Sequence, residues 1–314
     1  MNSMKLTIVL WSVEIALVIV ISFIYYLTLP VTTSKVLYIP HGSIAKIITY
    51  LHNKKYDLSP LDALMLRGIG MPQQGWINME HERLSRADFL YRLTTAKAAM
   101  RDVTLIPGET THIFLDQLAA AMNLDRVKLQ YWFETLAPAP EGVLVPETYK
   151  LPLGITEDAA VRLLLNRSLK QMRTWSEKIF GTYNEKKWFQ YLVMASVIQK
   201  EASDVGDMAL VSSVIYNRLE KGMALQMDGT LNYGPYSHVK ITAKRIREDD
   251  THYNTYRYKG LPPAPVCNVS LDAIKAAIFP AKTDYLYFVR DKTGRHTYSR
   301  YYSTHRKNIA NVTK

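Results

Sequence analysis

The chain contains one cysteine, Cys267, which excludes an internal disulfide and any cysteine-rich metal site. Zinc-type histidine spacing is missing too, since His81-Glu82 lacks the second histidine of H-E-x-x-H. No G-x-G-x-x-G or Walker sequence occurs, so a nucleotide cofactor has no support, and the expected chemistry needs neither cofactor nor metal. Acidic residues are outnumbered, 28 against 39 basic, and the net charge of +11 points to anionic surroundings such as lipid headgroups or wall polymers. The basic residues are spread along the chain rather than clustered, so nucleic acid is not an expected partner. Low-complexity segments and internal repeats are absent, and 48% hydrophobic with 21% charged residues is ordinary globular composition.

What is present begins with one long apolar run, Leu6 to Leu29, interrupted only by Thr7, Ser12, Glu14, Ser22 and Thr28. About 20 such residues cross the hydrocarbon core as a helix. Trp11, Tyr25 and Tyr26 lie toward its ends, where amphipathic rings favour the interface, and Pro30 stops it. The run exceeds the usual apolar region of a cleaved signal peptide and no Ala-x-Ala-like site follows, so an uncleaved anchor over 6–29 is expected. Lys5 before it and Lys35 after it leave the orientation open.

The remainder reads as α+β. Val36-Leu-Tyr-Ile39 predicts a strand, Ile44 to Leu51 and Leu61 to Arg67 short helices capped by Ser43 and by Ser59-Pro60, Trp76 to Met79 a strand, and Arg86 to Ala99 a helix. These make a small module over 31–101, with a larger domain over 102–314. That domain opens with a strand and turn at Val103 to Glu109 and a helix from Ile113 to Met122. Helices are expected again from Glu157 to about Trp175, over the run ending at Glu201, and from Met208 to Glu220.

The run Trp188 to Glu201 carries the chemistry. Val197 and Ile198 stand four and three residues before Glu201, so a helix places this carboxylate on an otherwise buried face. Desolvation there raises a carboxyl pKa and keeps it able to donate a proton near neutrality. The bland alternative is a solvated Glu in a last helical turn.

After Gly222 the chain becomes rich in tyrosine, amides, glycine and proline: Leu225-Gln-Met-Asp-Gly-Thr-Leu-Asn-Tyr233, then Tyr253-Asn-Thr-Tyr256, then Gly260-Leu-Pro-Pro263. Tyrosine and asparagine offer flat apolar faces with hydroxyl or amide tips, which suit sugar rings and N-acetyl groups, although packed loops use them as well. Gln226, Asp228, Thr230, Tyr233, Tyr253, Asn254 and Tyr256 are the candidate contacts. A final hairpin, Tyr285 to Val289 and His296 to Tyr302, places His296, Tyr298 and Arg300 on one face, and His296 joins the candidates.

The segments Met194-Ala-Ser-Val-Ile-Gln-Lys-Glu-Ala202, Val214 to Leu219, Gly222 to Thr230, Tyr253 to Tyr256, Gly260 to Pro263, and Tyr285 to Val289 with Gly294-Arg-His296 resemble, in order, the signature of the YceG-like endolytic murein transglycosylases. Weaker similarity runs through Glu141 to Tyr149. The resemblance implies a short cytoplasmic tail over 1–5, an inner-membrane anchor, a LysM-like module and a periplasmic catalytic domain. It also implies cleavage of the β-1,4 bond between N-acetylmuramic acid and N-acetylglucosamine in nascent strands, with 1,6-anhydro ends and Glu201 as the catalytic acid. Peptidoglycan strands are the implied substrate, with peptidoglycan synthases as plausible neighbours. Met227 and Gly229 stand where that family usually has Thr and Pro around Asp228, which predicts a flexible loop beside the site.

Three other readings stay open from the residues alone: a non-catalytic wall-binding scaffold, a muramidase that uses water, and a serine acyltransferase. Ser43-Ile-Ala-Lys46, Ser237-His-Val-Lys240 and Lys292-Thr-Gly294 fit motifs of the last, but the chain has no Ser-x-Asn.

Overall fold

The computed structural model describes residues 2–313. The chain divides into two compact units, Met1–Arg101 with Leu151–Gly154, and Asp102–Lys150 with Ile155–Lys314. Mixed helix and strand in both make the chain α+β, as the sequence predicts.

The first unit opens with α1 (Asn2–Thr28), which contains an apolar stretch, Leu6–Thr28, long enough to cross a membrane. Its most apolar window is not buried against the rest of the protein, and Tyr26 near its end is half-buried against Ser59 and Asp62, so it fits a single-pass anchor rather than a core helix. There follow β1 (Pro30–Thr32), β2 (Val36–Ile39), α2 (Ile44–Asn53), α3 (Pro60–Ile69), β3 (Gly75–Asn78), β4 (Arg83–Ser85) and α4 (Arg86–Thr95). β2 pairs antiparallel with β3, and β1 with β4. The apolar sides of α2, α3 and α4 supply Ile47, Leu51, Leu66, Phe89, Leu90 and Leu93 to one fully buried core under these strands.

Local chemistry sets these boundaries. Ser59 and Asp62 form a capping box with Pro60 in the first turn of α3. Asp62 is also held at 2.7 Å by the guanidinium of Arg86, and both are buried. The helix expected to reach Ala99 stops at Thr95, because Ile77 bridges Ala98 and the Ala99 N–H donates to the Trp76 carbonyl at 2.8 Å. Strand pairing overrides helix propensity there.

Next come β5 (Met100–Thr104), α5 (Thr111–Met122), α6 (Arg126–Leu136), β6 (Thr148–Pro152), α7 (Glu157–Phe180), α8 (Glu185–Glu201) and α9 (Met208–Glu220). α10 (Ala243–Glu248), α11 (Leu271–Ile278), β7 (Tyr287–Arg290), β8 (His296–Ser299) and α12 (Tyr302–Thr313) complete the chain. β5 pairs with β6, and β7 with β8 in an antiparallel hairpin. Four helices go beyond the sequence reading: α6, which Asp125 caps and Leu129 and Phe133 anchor, α10, which Thr242 caps, α11, which Ser270 caps and Ala273, Ile274 and Ala277 anchor, and α12, which starts at Tyr302, the expected end of the last strand.

α8 is the central element of the second unit. Asn184 caps it by accepting from the Lys187 N–H at 2.9 Å, and every residue from Leu192 to Ile198 is buried. Its one polar residue in that stretch, Ser196, is satisfied twice, donating to the Val193 carbonyl at 2.8 Å and accepting from the Val266 N–H at 2.9 Å. Residues of α9, α11 and the segments around Met227 and Cys267 complete the core around it. Glu201 is the last residue of this helix, three positions beyond the fully buried stretch.

Candidate active site

Glu201 is only partly exposed, and its Oε1 accepts from the backbone N–H of Gly229 at 2.7 Å. Gly229 lies in a single 3-10 turn, Asp228–Leu231, that packs against the end of α8. A Cβ on Gly229 would sit 2.5 Å from the Lys200 Cβ and 2.9 Å from Glu201 Oε1. Only glycine lets the backbone come this close, so the residue that predicts looseness in the sequence instead fixes the loop onto the carboxylate. Burial pushes the Glu201 pKa up to about 7, and nearby Asp228 pushes the same way. The Gly229 N–H and the charges of His296 and Arg218 hold it down. A carboxyl so poised can donate a proton and take one back at neutral pH.

Around it, Asp228 is exposed and accepts from the Tyr256 hydroxyl at 2.8 Å. Burial and then that bond to Asp228 raise the Tyr256 pKa, so the phenol stays a donor. Gln226 is exposed in a left-handed conformation with φ 51°, its N–H bonded to the Thr255 carbonyl at 3.1 Å. Tyr233 and Tyr253 stack with ring centroids 4.4 Å apart.

Two candidates take a different place. Thr230 is fully buried and donates to the Met227 carbonyl at 2.7 Å. Asn254 is fully buried as well, its amide donating to the Ile246 and Asp249 carbonyls and its oxygen accepting from the Tyr256 N–H. Both fasten loops and have no face for a sugar, because polar groups in the interior must be satisfied where they stand.

His296 comes to the site held from behind. Its Nδ1–H donates to Asp207 Oδ2 at 2.6 Å, and the Tyr298 hydroxyl donates to Asp207 Oδ1. Asp207 also accepts from the N–H and hydroxyl of Ser203. Burial works against this carboxylate, but the bonds from His296, Tyr298 and Ser203 outweigh it and hold its pKa down at about 2. His296 and Tyr298 share a strand face as expected, whereas Arg300 lies beyond β8, exposed, and pairs with Asp284 at 2.7 Å.

Asp207 carries no motif or periodicity that marks it in the sequence, and Arg218 lies in the signature segment Val214 to Leu219 without being singled out there. Arg218, nearly buried, donates to the backbone carbonyls of Leu286 and Leu225, tying α9 to the loops on both sides of the site. The serine motifs serve structure: Ser43 caps α2 and Ser237 accepts from Lys200 at 3.0 Å. Among the described residues no cluster of His, Cys, Asp or Glu could hold a metal ion.

An α+β unit organised around one buried helix that ends in a partly desolvated carboxyl, with tyrosine-rich loops packed on it, defines a family resemblance at the level of structure as well as sequence. Residues 37–311 match the YceG-like family, and the chain belongs to it. It is similar to a Bacillus subtilis protein named endolytic murein transglycosylase, 31% identical over 69% of this chain and 61% of that one. A Streptococcus pneumoniae protein of the same name is 34% identical over 54% of this chain and 32% of that one. The matched region thus spans less than two thirds of these curated relatives. The crystal structure of a yceG-like protein from Listeria monocytogenes shares the fold, with TM-score 0.56 and 26% identity over 87% of this chain and 98% of that one.

Proposed function

We propose that the chain is an endolytic peptidoglycan transglycosylase that cleaves the β-1,4 bond between N-acetylmuramic acid and N-acetylglucosamine and leaves a 1,6-anhydro end, terminating strand growth. The observation that carries this is the Glu201 carboxyl, fixed by the Gly229 N–H and pushed by burial up to about 7. Family membership and the relatives' names support the same class.

Protonated Glu201 donates to the glycosidic oxygen as the bond to the anomeric carbon breaks. The 6-hydroxyl oxygen of the muramic sugar then attacks that carbon, and its proton returns to the Glu201 carboxylate. One carboxyl serves as acid and then base, and the internal hydroxyl removes the need for water or a nucleophilic carboxylate. Asp228, occupied by the Tyr256 hydroxyl, acts as loop organiser and sugar contact. Gln226 and Tyr256 supply further contacts beside the reacting bond, the stacked pair Tyr233 and Tyr253 contacts a ring farther along the strand, and His296, its side chain only 4% exposed, stands near Glu201 anchored on Asp207 rather than as an open contact. The chain is proposed to sit in the inner membrane by α1, tail 1–5 inside and residues 31–314 in the periplasm, beside peptidoglycan synthases. The strand–helix–helix–strand order of β2, α2, α3 and β3 supports a LysM-like wall-binding role for 31–101.

The test is digestion of nascent peptidoglycan by the full chain in detergent and by its Glu201→Gln variant, with ends identified by mass spectrometry. Anhydro-muramic ends from the wild type, lowered at least about 100-fold in the variant, are expected. Reducing ends would make it a muramidase, and no release by a folded wild type would leave a wall-binding scaffold.

A further inference from the structure

A second buried carboxyl in the same unit has no part in this mechanism. Glu141 is 7% exposed and stands at the start of α5, where it accepts from the Thr111 N–H at 2.9 Å, the Thr111 hydroxyl at 2.7 Å and the Gly142 N–H at 2.9 Å. A carboxylate offers about four acceptor positions, so one remains, on Oε2. Glu141 is also a wall of a cavity of about 180 Å3, together with Tyr233, Tyr253, Pro140, Pro265 and Gln130. Glu201, Asp228 and His296 do not line it.

The walls combine two chemistries. Tyr233, Tyr253 and the two prolines present flat apolar surface, and the stack of the two tyrosines sets the orientation of the rings. Glu141 supplies a fixed acceptor beneath them. The volume lies below that of a drug-sized site, at the scale of one ring and its substituent. Burial pushes the Glu141 pKa up to about 7, against the pull of its three donors and of the Lys200 charge.

We propose that this cavity is a saccharide subsite, set apart from Glu201, that takes one N-acetylhexosamine ring of a glycan strand, its apolar face on Tyr253 and an amide or hydroxyl proton on Glu141. It rests on the reading of the chain as a glycan-cleaving enzyme and adds to it a place where a ring remote from the scissile bond is held. Binding energy gained there positions the strand and appears in KM rather than in kcat.

The test uses the full chain in detergent micelles, with a tetramer of N-acetylglucosamine as binding probe and peptidoglycan strands as substrate. Tyr253→Ala removes the platform, and Gln130→Trp blocks the mouth from the partly exposed side of α6 without touching the core. With thermal unfolding unchanged, each is expected to weaken tetramer binding and raise KM by about tenfold, the loss that goes with one missing contact of about 1.4 kcal/mol, while kcat stays within about twofold. Glu201→Gln should bind the tetramer as the wild type does. Wild-type binding and KM in both folded variants, alongside cleavage that yields anhydro ends, would overturn the subsite and leave the enzyme. Tyr253-dependent binding without any cleavage would overturn the enzyme and leave the subsite, and neither binding nor cleavage would reject both.

Discussion

Replacing Gly229 by alanine tests the geometry of the site at its tightest point. The added Cβ would lie 2.5 Å from the Lys200 Cβ, 2.9 Å from Glu201 Oε1 and 3.3 Å from the Lys200 carbonyl carbon, so the turn must withdraw from the end of α8. Withdrawal breaks the 2.7 Å bond from the Gly229 N–H to the carboxylate. A hydrogen bond to a charged group contributes about 1.5–3 kcal/mol, and one pKa unit corresponds to about 1.36 kcal/mol. Burial, the largest influence on Glu201, then acts with less opposition, and its pKa rises from about 7 by a further unit or so. Activity that needs the acid form falls as pH rises through this pKa, so the alkaline limb of kcat/KM should move from near 7 to near 8. The maximum should fall by about tenfold or more, since the carboxyl is no longer held in register with its target. Overpacking should lower stability by about 1–3 kcal/mol. The assay is release of chain ends across pH 5–9, with denaturant unfolding as control. An alkaline limb unmoved in a folded Gly229→Ala protein would refute the account of how Glu201 is tuned.

The same physics gives expectations elsewhere. Asp207, whose pKa falls from 3.8 to about 2 on folding, contributes stability that is present above 3.8 and lost as pH falls through about 2. Asp207→Asn should therefore cost about 2 kcal/mol at neutral pH and lose most of that difference at pH 2, as read by urea unfolding. In the first unit, Asp62→Ala takes from the buried Arg86 its buried carboxylate and leaves it the exposed Asp57 and the Tyr26 hydroxyl, and denaturant melts should show a loss of about 3 kcal/mol. Cys267 is fully buried and burial raises its thiol pKa, so iodoacetamide should label it only after unfolding. Rapid labelling of native protein would show that the core around α8 opens readily.

The sequence by itself determined the anchor-like helix, the α+β class, the order of most elements and the identity of the central carboxyl. Each is a local property: a run of about 20 apolar residues, a cap residue before an apolar repeat, or a carboxylate three and four positions after Ile198 and Val197. Helix α6 was also written locally, in the Asp125 cap and the spacing of Leu129 and Phe133, but more faintly.

Only the tertiary structure decided what the polar residues do. Asp207 meets His296 across 89 positions and Glu201 meets Gly229 across 28, separations over which neither helical nor strand periodicity carries information. Thr230 and Asn254 look like their neighbours Gln226 and Tyr256 in composition, and only burial separates a loop fastening from an exposed contact. Gly229 shows the difference most plainly. As a letter in a sequence it means conformational freedom, whereas its meaning here comes from a missing Cβ, 2.5 Å from a side chain that the fold brings beside it.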